Sequence, residues 1–149
     1  MSTRVEVTVD IDRPINDVYA YLADGLHDPE FNPRVLVMDR SPYGETELGT
    51  VFQSTVRNAG LKTHREFEIV DVAAPNRIRW HETSYHSITA REGGYDLEPT
   101  ADGGTRVHLF NVLEGRDMGR LLLPLVGGRA RKDAPALGRR MKAAVEGSV

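Results

Sequence analysis

The stretch Gly119–Glu146, GRLLLPLVGGRARKDAPALGRRMKAAVE, decides how this chain folds. From Arg129 onward it reads as a helix, yet Pro124 and Gly127-Gly128 interrupt the most hydrophobic run in the sequence. Three readings compete. The segment is a membrane anchor, or a helix bent into a wall or gate over a cavity, or an irregular loop before a helix that starts near Arg129. The anchor fails on length: the apolar run Leu121–Val126 spans six residues, one of them proline, where a membrane span needs roughly 20. The other two readings stay open.

The rest of the chain narrows what this segment packs against. At 149 residues the chain matches the usual size of a single domain, so residues 1–149 are expected to form one. Hydrophobic residues at 40% and charged residues at 28% place it among globular proteins rather than disordered or membrane-embedded ones. There is no cysteine. A disulfide scaffold, a thiolate zinc site and a cysteine nucleophile are therefore excluded. The opening MSTRVEVTVDID lacks the apolar core of a secretory signal, and a cytoplasmic location is expected.

Net charge is −3, unevenly spread: Gly115–Val149 carries eight Lys/Arg against three Asp/Glu. Cations late in a terminal helix complement its negative dipole end and solvate its outer face. Few aromatics are interleaved with them, so no nucleic-acid site is expected.

Val5, Val7, Val9 and Ile11 alternate with Arg4, Glu6, Thr8 and Asp10, the pattern of a half-buried strand. Asp12-Arg13-Pro14 opens a helix whose Ile15, Val18, Tyr19 and Leu22 form one apolar face. Asp24-Gly25 stops it, and a short helical turn follows over roughly 26–31. Six further strands are expected near 34–40, 50–58, 61–72, 77–84, 88–98 and 105–113. Pro42-Tyr43-Gly44, Asn58-Ala59-Gly60, Ala74-Pro75-Asn76 and Asp102-Gly103-Gly104 separate several of them. Such short links favour antiparallel hairpins, because a parallel pair needs a long crossover.

The fold class is therefore α+β: a seven-stranded antiparallel sheet whose apolar face must be covered. The C-terminal segment is the one element long enough to do it. Its expected inward side runs through Leu122, Leu125, Val126, Arg129, Asp133, Ala136, Leu137, Arg140, Met141 and Ala144. A sheet curled around such a helix need not touch it everywhere, so a cavity can remain.

VTVDIDRPINDVYAYLAD, AAPNRIRW, GGYDLEPTADGGTRV and the C-terminal stretch together resemble, in order, the landmarks of the SRPBCC (START-like) superfamily, in its polyketide cyclase/dehydrase branch. The resemblance implies a helix-grip fold, with a curved sheet around a long C-terminal helix and a deep ligand cavity between them. It implies a lipid-, aromatic- or polyketide-like ligand, and in a minority of members cyclisation or dehydration. Val18 and Leu22 match the helix positions that pack on the sheet, and Asp24 the acid that ends that helix. Phe31 stands where relatives often carry tryptophan near the pocket mouth. Tyr95 and Leu97 match the sheet-face pair before the Glu-Pro turn. Fold alone does not fix activity.

No metal-binding spacing joins His27, His64, His81, His86 and His108, no serine sits in a GxSxG elbow, and Gly93-Gly94 and Gly103-Gly104 are not phosphate loops. The glycine pairs read as turns and a bulge. No metal and no cofactor are expected. Strand parity puts Arg65 and Phe67 on one inner face, Trp80 and Glu82 on another, and Leu109 and Asn111 on a third. Buried charge is costly without a partner, so an inward Arg65 and Glu82 pair with each other or with a ligand. They are the candidate acid–base residues. Tyr19, Tyr95 and Arg129 complete the polar lining, and Phe31, Leu122 and Val126 the apolar one.

Three functions follow. The first is binding of a small hydrophobic ligand, without a cofactor. The second is a cofactor-independent cyclase or dehydrase. The third is an interaction module whose contact surface is the basic C-terminal helix, through Arg139, Arg140 and Lys142. Ligand identity and oligomeric state are not encoded in any of these patterns.

Overall fold

The expected alternation of strands and turns is present in the computed structural model, which describes residues 1–58 and 60–148; Ala59 of the expected Asn58-Ala59-Gly60 turn lies outside the described residues. Strands β1 (Ser2–Ile11), β2 (Val35–Ser41), β3 (Val51–Asn58), β4 (Leu61–Ala73), β5 (Arg77–Glu82), β6 (Ile88–Pro99) and β7 (Thr105–Gly115) form one sheet. Its order is β1-β7-β6-β5-β4-β3-β2, with every neighbouring pair antiparallel. Consecutive strands from β2 to β7 pair with each other, as short turns dictate. β1 closes the far edge by pairing with β7 along its whole length.

Helix α1 (Ile15–Ala23) follows β1, with Pro14 at its N-cap position, and a 3-10 segment follows at Gly25–Glu30. Val18 and Leu22 are buried on the sheet. Helix α2 runs unbroken from Met118 to Gly147. No helix among the described residues is long and apolar enough to cross a membrane.

This overturns the loop reading of 119–128. Pro124 and Pro135 each remove one backbone hydrogen bond, yet both lie on the exposed side of a helix that continues through them. What holds them there is packing. Gly119, Leu123, Gly127, Ala134, Gly138, Met141 and Val145 form a buried stripe at helical spacing that begins well before Arg129. The stripe lies on β1 and β7.

The inward side also differs from the expected one, by about one residue of rotation. Leu123 is 1% exposed, whereas Leu122 is 46% and Leu125 72% exposed. The physical reason is close approach. A side-chain carbon added at Gly127 would stand 2.7 Å from Thr3 Cγ2. One at Gly138 would stand 3.0 Å from Val7 Cγ2. Glycine lets the helix sit directly on β1, so small residues rather than the leucine run mark the contact.

The main core joins Ile11, α1, β6, β7 and the C-terminal half of α2, with Val18, Val107, Met141 and Val145 fully buried. Each such side chain contributes roughly 1.5–3 kcal/mol. A smaller cluster, Phe52, Ile69 and Ile78, lies on β3, β4 and β5. Because α2 packs on β1 and β7, the inner faces of β3 to β5 are left without a helix over them.

Candidate functional site

That uncovered region is a cavity of about 670 Å³. β2 to β7 supply one wall, the end of α1 and the 3-10 segment a second, and the N-terminal half of α2 a third. The lining is mostly apolar and aromatic, including Phe52, Phe67, Ile78 and Trp80. Arg57, Leu125, Val126 and Arg129 are exposed lining residues and mark its open side.

Of the residues expected from sequence, the structure brings Arg65, Phe67, Trp80, Glu82, Tyr95, Asn111, Val126 and Arg129 to this cavity. Four do not line it. Tyr19 packs against both core clusters. Phe31 is 4% exposed within the core, its ring 6.5 Å from that of Tyr21. Leu109 is buried in the main core. Leu122 faces outward, by the rotation of α2 described above.

Arg65 and Glu82 lie on β4 and β5. Arg65 Nη1 donates to both Glu82 carboxylate oxygens, at 3.0 and 3.2 Å, and to the Ile88 carbonyl at 3.0 Å. Glu82 also accepts from Ser84 Oγ at 2.6 Å and from the Ala90 N–H at 2.9 Å. Its side chain is 1% exposed. Position near strand ends suggests solvated side chains; the β5–β6 turn folds over the carboxylate instead.

Trp80 Nε1 donates to Asn111 Oδ1 at 3.0 Å, and the Trp80 ring meets that of Tyr95 edge-on at 5.3 Å. Beneath this pair lies Gly93. A side-chain carbon there would collide with both the Trp80 indole and the Asn111 amide. Gly93-Gly94 therefore belongs to the interior of β6, in register with β5 and β7, and is not the turn or bulge that the sequence suggests.

Asp28, in the 3-10 segment, is the acidic lining residue that sequence reasoning misses, beside apolar ones such as Met38, Phe52 and Ile78. Burial and then the nearby Asp24 push its carboxyl up to about 7, and no hydrogen bond from the described residues opposes the shift. Tyr95 is shifted the same way: burial raises its phenol well above the ordinary value, and the charge of Asp28 adds to it. The motif HDPEFNP gives no periodicity from which an inward carboxyl could be read. The one available signal is an acid inside a helical turn that is followed by buried Phe31.

The histidines do not converge. His27 stacks on Tyr21, His86 meets the His64 carbonyl, and His108 sits between Glu6 and Asp96. Among the described residues no group of three His, Cys, Asp or Glu is placed to hold a metal ion.

The sheet order, the gripping helix and the cavity can be compared with known proteins. Residues 2–147 match the family model described as polyketide cyclase/dehydrase and lipid transport. The chain belongs to that family. Within it, the curved seven-stranded sheet and long C-terminal helix are the helix-grip fold of START-like proteins. A crystal structure from Thermus thermophilus superposes with a TM-score of 0.78 at 22% identity, covering 98% of this chain and 99% of that one. A START superfamily protein from Mycobacterium smegmatis gives 0.71 at 17% identity, covering 94% and 97%. The Zhui aromatase/cyclase from Streptomyces gives 0.68 at 20% identity, covering 99% and 91%. No curated protein matches the chain in sequence. These likenesses fix the family and the fold.

Proposed function

We propose that this family member binds a small hydrophobic ligand, lipid-, aromatic- or polyketide-like, in the cavity between the sheet and α2. Residues 1–149 would act as one ligand-binding domain. The observation that carries the reading is the cavity itself: about 670 Å³, largely apolar, with a few polar groups on its wall. Small-molecule sites of roughly 300–1,000 Å³ have this make-up.

A cyclase or dehydrase is the second reading, and the family description includes it. Proton transfer needs an acid and a base free to reach the substrate. Glu82, the carboxylate of the pair expected for it, is instead held by Arg65, Ser84 and the Ala90 N–H and sealed from water, which favours binding. The interaction-module reading also loses support. Arg140 Nε donates to the Phe31 carbonyl, and Lys142 Nζ to the Asp10 carbonyl and Glu146. Two of its three cations are thereby engaged within the chain.

Pyrene, a neutral apolar fluorophore, tests the reading. Bound pyrene is expected to raise the Tm in proportion to the logarithm of its concentration over Kd. Ala130→Trp, on the α2 wall, is expected to weaken that binding at least about tenfold while leaving the Tm of the free protein close to wild type. Absence of any pyrene binding to the wild-type protein ends the proposal.

A further inference from the structure

The cavity wall carries one carboxyl that the protein leaves unanswered. Arg65 is paired with Glu82, Arg40 with Asp24 and Arg34 with Asp133. Asp28 has no such cation: burial and the negative charge of Asp24 act on it, and no basic residue among those described offsets them. The other charged or titratable groups around it are accounted for. Tyr21 on α1 donates to Glu30 and stacks on His27, whose Nδ1 meets the Tyr21 carbonyl. Tyr95 on β6 is a neutral phenol. From α2, Arg140 is held on the Phe31 carbonyl. Arg57 and Arg129 stand on the exposed rim, where water screens them.

We propose that Asp28 makes this cavity selective for ligands carrying a basic amine on an apolar body, with the protonated nitrogen seated on the Asp28 carboxylate. The inference rests on the cavity being a ligand site. Its physical basis is charge compensation. An isolated carboxylate in an apolar wall is strongly disfavoured, and an ammonium group restores the missing counter-charge through a charge-assisted hydrogen bond. The aromatic lining of the same cavity, Phe52, Phe67, Trp80 and Tyr95, suits the same ligand, because ring faces attract cations. A neutral alcohol donates at most a hydrogen bond to the carboxylate and supplies no counter-charge and no cation for the rings.

Seating the amine on the carboxylate expels the proton that burial favours on Asp28, so binding is linked to pH. Below the carboxyl's own titration point each unit of pH strengthens amine binding, up to about tenfold; above it the dependence flattens. The amine itself, titrating near about 10, stays charged throughout.

The test uses two probes of one shape, 2-(1-naphthyl)ethylamine and 2-(1-naphthyl)ethanol, titrated calorimetrically from about pH 5.5 to about pH 8.5. The wild-type protein is expected to bind the amine at least about tenfold tighter than the alcohol at the upper pH, with affinity rising along the series. Asp28→Asn is expected to abolish both the preference and the slope, so that amine and alcohol bind alike at every pH, and its cooperative thermal unfolding shows that the variant is folded. Alcohol binding without amine preference, or amine affinity unmoved by D28N, overturns the inference but not the cavity reading. Binding of neither probe overturns both.

Discussion

One nitrogen of Arg65, Nη1, bridges both carboxylate oxygens of Glu82 and the carbonyl of Ile88, joining β4, β5 and the start of β6 at the cavity wall. The carboxylate is sealed from water. Removing one member of such a pair leaves a buried charge without a counter-ion, which costs about 3–5 kcal/mol, whereas replacing both by apolar groups is close to neutral. Arg65→Met is therefore expected to lower unfolding free energy in urea by that amount. The double variant Arg65→Met with Glu82→Leu is expected to recover most of it. A catalytic pair would give a different pattern, with loss of turnover in the double variant whatever its stability.

Asp28 sets a pH dependence of stability. In the unfolded chain an aspartate titrates near about 3.9; in the fold burial raises it to about 7. Below both values the group is protonated in either state and carries no penalty. As pH rises through this window the native state holds a proton that the unfolded state has released, so stability falls, and the full cost is present above about 7. The span corresponds to a cost on the order of 4 kcal/mol. Asp28→Asn is expected to raise the Tm clearly at about pH 8 and little at about pH 4. Equal shifts at both would refute the assignment.

Two glycines of α2 separate packing from propensity. A side-chain carbon at Gly119 would collide with the Ser87 carbonyl oxygen, a backbone atom with little room to yield. At Gly128 nothing lies within 4 Å. Gly119→Ala is expected to destabilise by about 1–3 kcal/mol through overpacking. Gly128→Ala, in an exposed helix interior, is expected to stabilise by up to about 1 kcal/mol. Thermal unfolding of the two variants measures the contrast.

Trp80, the single tryptophan of the chain, has its indole N–H held by Asn111 Oδ1. Asn111→Ala is expected to cost about 1–3 kcal/mol by leaving that donor unsatisfied, and to shift Trp80 emission. Trp80 lines the cavity, so a ligand that quenches it in the wild-type protein is expected to do so in this variant as well.

The sequence by itself determined the elements. Valine alternation made β1, the turn chemistry at Pro42-Tyr43-Gly44, Ala74-Pro75-Asn76 and Asp102-Gly103-Gly104 spaced the strands, and parity put Arg65, Phe67, Trp80, Glu82 and Asn111 on the inner side. These are local properties, fixed by periods of two and 3.6 residues. Only the tertiary structure decided how far α2 extends and which of its faces turns inward. Three of the seven buried positions there are glycines, which carry no hydrophobic signal, and packing on β1 keeps Pro124 inside the helix. Only the tertiary structure, likewise, put Asp28 on a cavity wall while burying Phe31 and Leu109 in the core and packing Tyr19 against it. Whether a side chain meets solvent, ligand or protein depends on segments far away in the chain, and no local pattern encodes that.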